Sequence, residues 1–118
     1  MASPFVWFDL PVGEAEKLGD FYRDLFGWTV RSGFGDYQAV LVDGEQPWAG
    51  MLPSDPGTAG RWVPYVPVDE LAAAADRAVA LGGRVVRPAQ IGPAGTSVLV
   101  ADPAGTLVAL FVPHGAAA

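Results

Sequence analysis

The feature that most constrains this 118-residue chain is that it repeats itself. Phe5-Val-Trp-Phe-Asp-Leu-Pro-Val12 returns, at a constant offset of 56 positions, as Arg61-Trp-Val-Pro-Tyr-Val-Pro-Val68. Pro11-Val12 aligns with Pro67-Val68, Glu14 with Glu70, and Gly27 with Gly83. A repeat at fixed period limits the possible folds before any local propensity is weighed. Two copies of this length are too few and too long for a solenoid, so they read as two halves of one domain.

Local signals agree with the repeat. Residues 5–10 are β-branched and aromatic, a strand stopped by Pro11. From Glu14 to Phe26 the apolar positions Ala15, Leu18, Phe21, Tyr22 and Leu25 recur at helical spacing, and Gly27 suits the position after a helix end. Strands are expected at 28–32, 37–42 and 48–52, with turns at Gly33–Asp36 and Asp43-Gly44. Pro53 to Gly60 is a linker. The order then restarts: strand 62–68, a helix from Glu70 to Leu81 capped by Asp69 and closed by Gly82-Gly83, and strands at 84–87, 96–101 and 107–112. Asp102-Pro-Ala-Gly105 is the turn before the last strand, and His114 with the Ala tail reads as a frayed end. The chain is therefore an α+β domain, residues 1–118, of two βαβββ modules: module one 5–52, linker 53–60, module two 61–113.

Composition removes several function classes. With 51% apolar and 17% charged residues, disorder is excluded, and no apolar run approaches the roughly 18 residues of a membrane span. No basic, leucine-rich signal segment is visible, and zero cysteines rule out disulfides and thiolate metal sites, so a cytoplasmic location is expected. A net charge of −6 with no Lys/Arg cluster argues against nucleic acid, and no membrane partner is expected. It would suit a cationic ligand or simply solubility. No Gly-x-Ser-x-Gly elbow or phosphate-binding loop is present. Abundant Ala, Gly, Val and Arg beside a single Lys points to a GC-rich bacterial source.

The wording of the repeat resembles the vicinal oxygen chelate superfamily, which includes glyoxalase I, bleomycin- and fosfomycin-resistance proteins and extradiol dioxygenases. The residues that carry the resemblance are Asp20-Phe-Tyr-Arg-Asp-Leu-Phe-Gly-Trp28, Val68-Asp69, Leu81-Gly-Gly83 and Asp102-Pro-Ala-Gly105, and it covers residues 5 to 113. Val6-Trp-Phe-Asp-Leu-Pro11, Trp48-Ala-Gly50 and Ala109-Leu-Phe111 resemble a metal-poor, glyoxalase-like branch found in actinobacteria. The resemblance implies a pseudo-twofold pair of modules whose curved mixed sheet forms a cup holding the ligand. It also implies a homodimer. Metal-dependent members place His, Glu or Gln ligands at positions that fall here on Trp7, Gly50, Val63 and Ala109. None of the four can bind a divalent cation, so neither metal nor another cofactor is expected.

Strand alternation extends that mapping. Trp7 brings Phe5 and Asp9 to the cup, Val63 brings Arg61 and Tyr65, Gly50 brings Trp48 and Leu52, and Ala109 brings Leu107 and Phe111. The expected lining is aromatic, with small residues where a metal-dependent member has ligands. Trp7, Trp48 and Tyr65 could stack on a flat ring system, or serve as core. Trp28 and Trp62 are expected in packing, Trp62 under a helix. Asp9 is either a general acid or base or the partner of Arg61 in a structural ion pair. Tyr37, Gln38, Gln90, Thr96 and Ser97 are candidates for hydrogen bonds to a ligand.

Three functional readings follow. The first is metal-independent binding of a hydrophobic, aromatic small molecule, with sequestration of a toxic natural product, as in drug-binding resistance proteins, its biological form. The second is a cofactor-independent isomerase, lyase or cyclase using Asp9, with Tyr65 or Arg61 stabilising an oxyanion. The third is a remnant half of a tandem protein with no ligand.

Overall fold

The computed structural model describes residues 4–12, 15–32, 38–41, 47–53, 60–92 and 94–115. The turns expected at Gly33–Asp36 and Asp43-Gly44, most of the linker, Tyr37 and the terminal alanines lie outside them. The chain divides into two compact units, Trp7–Trp62 and Met1–Val6 with Val63–Ala118. Pro4–Val6 therefore belongs with the second unit, although it precedes the first strand of module one. The Val6 N–H donates to the Tyr65 carbonyl at 2.9 Å.

The first unit runs β1 (Trp7–Val12), α1 (Ala15–Phe26), β2 (Thr29–Ser32), β3 (Gln38–Leu41) and β4 (Pro47–Pro53). Its strands lie in the order β2-β3-β4-β1, antiparallel except for the parallel pair β4/β1. The second unit repeats this connectivity with β5 (Val63–Pro67), α2 (Leu71–Ala80), β6 (Arg84–Ile91), β7 (Gly95–Ala101) and β8 (Leu107–Pro113), ordered β6-β7-β8-β5. Each unit is thus βαβββ with a mixed sheet, and the molecule is α+β. Among the described residues, no helix is long and apolar enough to cross a membrane.

In the first unit, α1 sets Leu18 and Tyr22 against the buried Leu10, Val12, Ala49 and Met51. Each such side chain taken fully out of water contributes about 1.5–3 kcal/mol. The apolar stripe read from the sequence is wider than the buried one: Phe21 and Leu25 stay exposed. Gly27 closes α1 at φ 77°, its N–H donating to Arg23 O at 2.8 Å.

Four local expectations are corrected. Pro11 does not end β1, which continues to Val12. Its carbonyl accepts the Gly60 N–H, so the side of the residue that lacks an N–H faces Gly60, and no β4 ladder bond is lost. Asp69 does not cap α2; Glu70 is the N-cap, without a side-chain hydrogen bond. β6 runs past Arg87 and through Pro88 to Ile91. His114 is tied down, its backbone N–H donating to Ala94 O at 2.9 Å and its Nε2–H to Gly92 O at 2.7 Å.

Other turn chemistry is as the sequence reads. Gly82, at φ 96°, and Gly83 donate back to Val79 O and Ala78 O, a Schellman end for α2. Asp102 Oδ1 accepts the N–H groups of Ala104 and Thr106, both at 2.9 Å, holding the β7–β8 turn.

Candidate ligand-binding faces

In the second unit, the buried cluster is Val63, Leu99, Ala101, Leu107 and Ala109, with Tyr65 packed against it. These are alternate residues on β5, β7 and β8, and no α2 side chain is among them. The intervening Val98 and Val100, also buried, occupy the opposite face, where α2 reaches the sheet. Register explains the grouping: Tyr65 lies beside Ala109, Ala109 beside Leu99, and Phe111 beside Ser97. Four expected site residues, Val63, Tyr65, Ala109 and Phe111, thus share one face turned away from the helix. The rings of Tyr65 and Phe111 stand edge-to-face, centroids 5.8 Å apart.

From β7 the sequence offered only Thr96 and Ser97, as hydrogen-bond candidates without an assigned face; the strand supplies Leu99 and the buried Ser97 to this one. Once Ala109 is assigned to the face, antiparallel pairing carries the assignment to Leu99. The Phe111 ring lies over Gly95, where an added Cβ would come within 2.6 Å of Phe111 Cε1 and 2.7 Å of Pro113 Cα. Gly95→Ala is accordingly expected to lower stability by about 1–3 kcal/mol. Urea denaturation measures this; because the Val112 carbonyl and the Pro113 backbone also meet the added Cβ, an unchanged midpoint would mean that β7 and β8 do not approach this closely.

In the first unit, α1 covers Leu10, Val12, Ala49 and Met51, leaving Trp7, Asp9 and Gly50 on the other face, with Asp9 and Gly50 paired in register. Asp9 is 7% exposed, and the Trp7 indole Nε1–H donates to its Oδ1 at 2.8 Å. The neighbouring Trp7 ring is thus one partner of Asp9, and Arg61 is exposed and precedes β5. Phe5 is exposed and belongs to the second unit's N-terminal segment.

Trp48 departs from simple alternation. The pairing of β3 with β4 shifts between Val40 and Leu41, which sit opposite Ala49 and Pro47, so Trp48 is an extra residue in β4. A bulge of this kind interrupts the alternation of side chains. The Trp48 ring therefore joins the aromatic core on the α1 side. It stands edge-on to Trp28 at 4.8 Å and to Phe8 at 6.1 Å, and is stacked on Trp62 at 6.2 Å. Trp62 in turn meets Tyr22 of α1, as its expected place under a helix requires.

The residues present do not fit a divalent metal. Trp7, Gly50, Val63 and Ala109 offer no side-chain donor suited to one, and no group of three His, Asp or Glu gathers among the described residues.

The family pattern of the glyoxalase-like domain matches residues 6–111. The chain is 35% identical over 115 residues to the putative glyoxylase CFP32 of Mycobacterium tuberculosis (strain CDC 1551 / Oshkosh), covering 89% of this chain and 44% of that protein. It is 29% identical over 125 residues to the anthracycline biosynthesis protein DnrV of Streptomyces peucetius, covering 89% of this chain and 45% of that one. The chain therefore spans less than half the length of these relatives. Methylmalonyl-CoA epimerase from Mycobacterium tuberculosis shares the fold, with a TM-score of 0.64 at 19% identity over 95% of this chain and 89% of that one. On this match the chain belongs to the glyoxalase-like domain family, within the vicinal oxygen chelate superfamily.

Proposed function

We propose that this domain binds a hydrophobic, aromatic small molecule without a bound metal, in the manner of a sequestering protein. The observation that carries the reading is the pairing of aromatic rings with small residues on the faces turned from the helices. Trp7 lies with Gly50, and Tyr65 and Phe111 lie with Ala109, where a metal-dependent relative would have ligands. Apolar lining with a few polar groups is the usual make-up of a small-molecule site. The relative named for anthracycline biosynthesis supports an aromatic ligand, since anthracyclines are built on fused aromatic rings.

Native mass spectrometry against a library of planar aromatic compounds tests this, with and without a chelator. Retention of a compound at unchanged mass in both conditions is expected. Loss of retention on chelation would overturn metal independence, and no retention of any compound would overturn binding. The same spectrum reads the expected homodimer. For the retained compound, Trp7→Ala is expected to weaken affinity about five- to tenfold by removing the stacking ring. Trp7→Phe, which keeps a ring and removes the indole N–H, should weaken it less. Calorimetric titration checks both, and equal affinity of Trp7→Ala and wild type would remove Trp7 from the site.

A second reading is favoured by the Trp7–Asp9 hydrogen bond, which fixes one carboxylate oxygen on a ligand-facing surface. A carboxylate so held can exchange protons with a bound substrate as a general acid or base. Release of a compound of altered mass, abolished in Asp9→Asn while binding persists, would make the domain a cofactor-independent isomerase, lyase or cyclase.

A further inference from the structure

The edge strand β6 carries Arg84, Arg87 and Gln90 at intervals of three. In a regular strand, Arg84 and Gln90 would share one face and Arg87 would point to the other. Two register shifts change this. Arg84 pairs with Ala101, Arg87 with Leu99 and Gln90 with Ser97, the pairing slipping by one residue between Val85 and Arg87 and again between Arg87 and Gln90. Residues directly opposite in an antiparallel pair point the same way, so all three polar side chains join Ala101, Leu99 and Ser97 on the face away from α2. Val85 and Ile91, opposite Val100 and Thr96, take the other face.

The result is a graded face, with Ala109, Leu99 and Ser97 buried beneath the half-buried Tyr65, Phe111 and Arg87. From β5 to β6, the central row reads Tyr65, Ala109, Leu99, Arg87, and the next reads Phe111, Ser97, Gln90 across β8, β7 and β6. Arg87 is half-buried, with its Nε shut off from solvent, while Arg84 and Gln90 are exposed. The edge strand β6 itself carries Arg84 and Arg87 and no carboxylate.

We propose that the second unit takes aromatic ligands bearing an anionic group, a carboxylate, sulfonate or phenolate. The ring lies on Tyr65 and Phe111, the anion is held by the Arg87 guanidinium, and Gln90 donates from the rim. The proposal rests on the aromatic-binding reading and names the ligand class of the same face. A guanidinium fork at the edge of an apolar floor is suited to orienting such a group, because its donors lie in one plane and its charge is partly desolvated. The bulges are the device that aims it there.

Two fluorescent probes with the same ring framework test this: 1-anilinonaphthalene-8-sulfonate and the neutral N-phenyl-1-naphthylamine. Wild type is expected to hold the sulfonate about tenfold more tightly. Arg87→Gln should abolish the difference by weakening only the sulfonate. Arg87→Lys keeps charge and stem, guarding against a folding defect, and should leave a smaller preference. Arg84→Gln, at the exposed end of the strand, should retain the full one. Equal binding of both probes by wild type would overturn this inference and leave the aromatic reading standing, as would an unchanged preference in Arg87→Gln. Failure of wild type to bind either probe would overturn both.

Discussion

Trp48→Ala is expected to lower the stability of the protein by about 3–5 kcal/mol. Trp48 touches rings on three sides: Phe8 from β1, Trp28 before β2, and Trp62 at the end of the first unit. Through Trp28 and Trp62 it reaches Tyr22 on α1. Its removal forfeits the buried area of an indole and several ring pairs, each worth about 0.5–1.5 kcal/mol beyond that area. Thermal unfolding followed by circular dichroism should show the midpoint falling by on the order of 10–20 °C. The contrast with Trp7→Ala is the informative one: Trp7 should lose ligand and only the about 1–3 kcal/mol of its hydrogen bond to the buried Asp9, Trp48 more stability with little ligand. A Trp48→Ala protein that unfolds as wild type does and fails to bind would return Trp48 to the ligand face, where uninterrupted alternation would put it.

Leu99→Ala should cost about 2–5 kcal/mol in the second unit. Leu99 is 2% exposed and lies in register between Arg87 and Ala109, so the substitution opens a cavity beneath the proposed floor. Leu99→Met, which nearly conserves volume, should stay within about 1.5 kcal/mol of wild type. Guanidinium denaturation measures both. A Leu99→Ala midpoint close to wild type would show that the side chain is not enclosed, and the floor would have to be drawn elsewhere. With Trp48→Ala, the pair probes the two units separately: an aromatic core under α1 in one, an aliphatic cluster away from α2 in the other.

How readable these features were depends on how local their causes are. Helix α1 was legible because Ala15, Leu18, Phe21, Tyr22 and Leu25 recur at helical spacing, and α2 because Gly82-Gly83 closes the run that follows Glu70. The glycine at each helix end and the Asp102 turn act within four residues of chain. Strand faces were legible where the ladder is regular, which is why Val63, Tyr65, Ala109 and Phe111 assemble as alternation requires. Pro11 misled because whether a missing N–H matters depends on what lies beside it, here Gly60. His114 misled because its partners, Gly92 and Ala94, are some twenty residues away.

The sequence by itself determined that two βαβββ halves exist, that each carries one helix closed by glycine, and that Trp7, Gly50, Val63 and Ala109 offer no donor suited to a metal. Repeat, periodicity and residue type settle these, and all three are carried by the chain without reference to its neighbours. The tertiary structure decided which way Trp48, Arg87 and Gln90 point. A β-bulge is a mismatch between two strands, so no single strand records it. One inserted residue reverses the faces of everything beyond it, and the partner's register alone says where that residue falls.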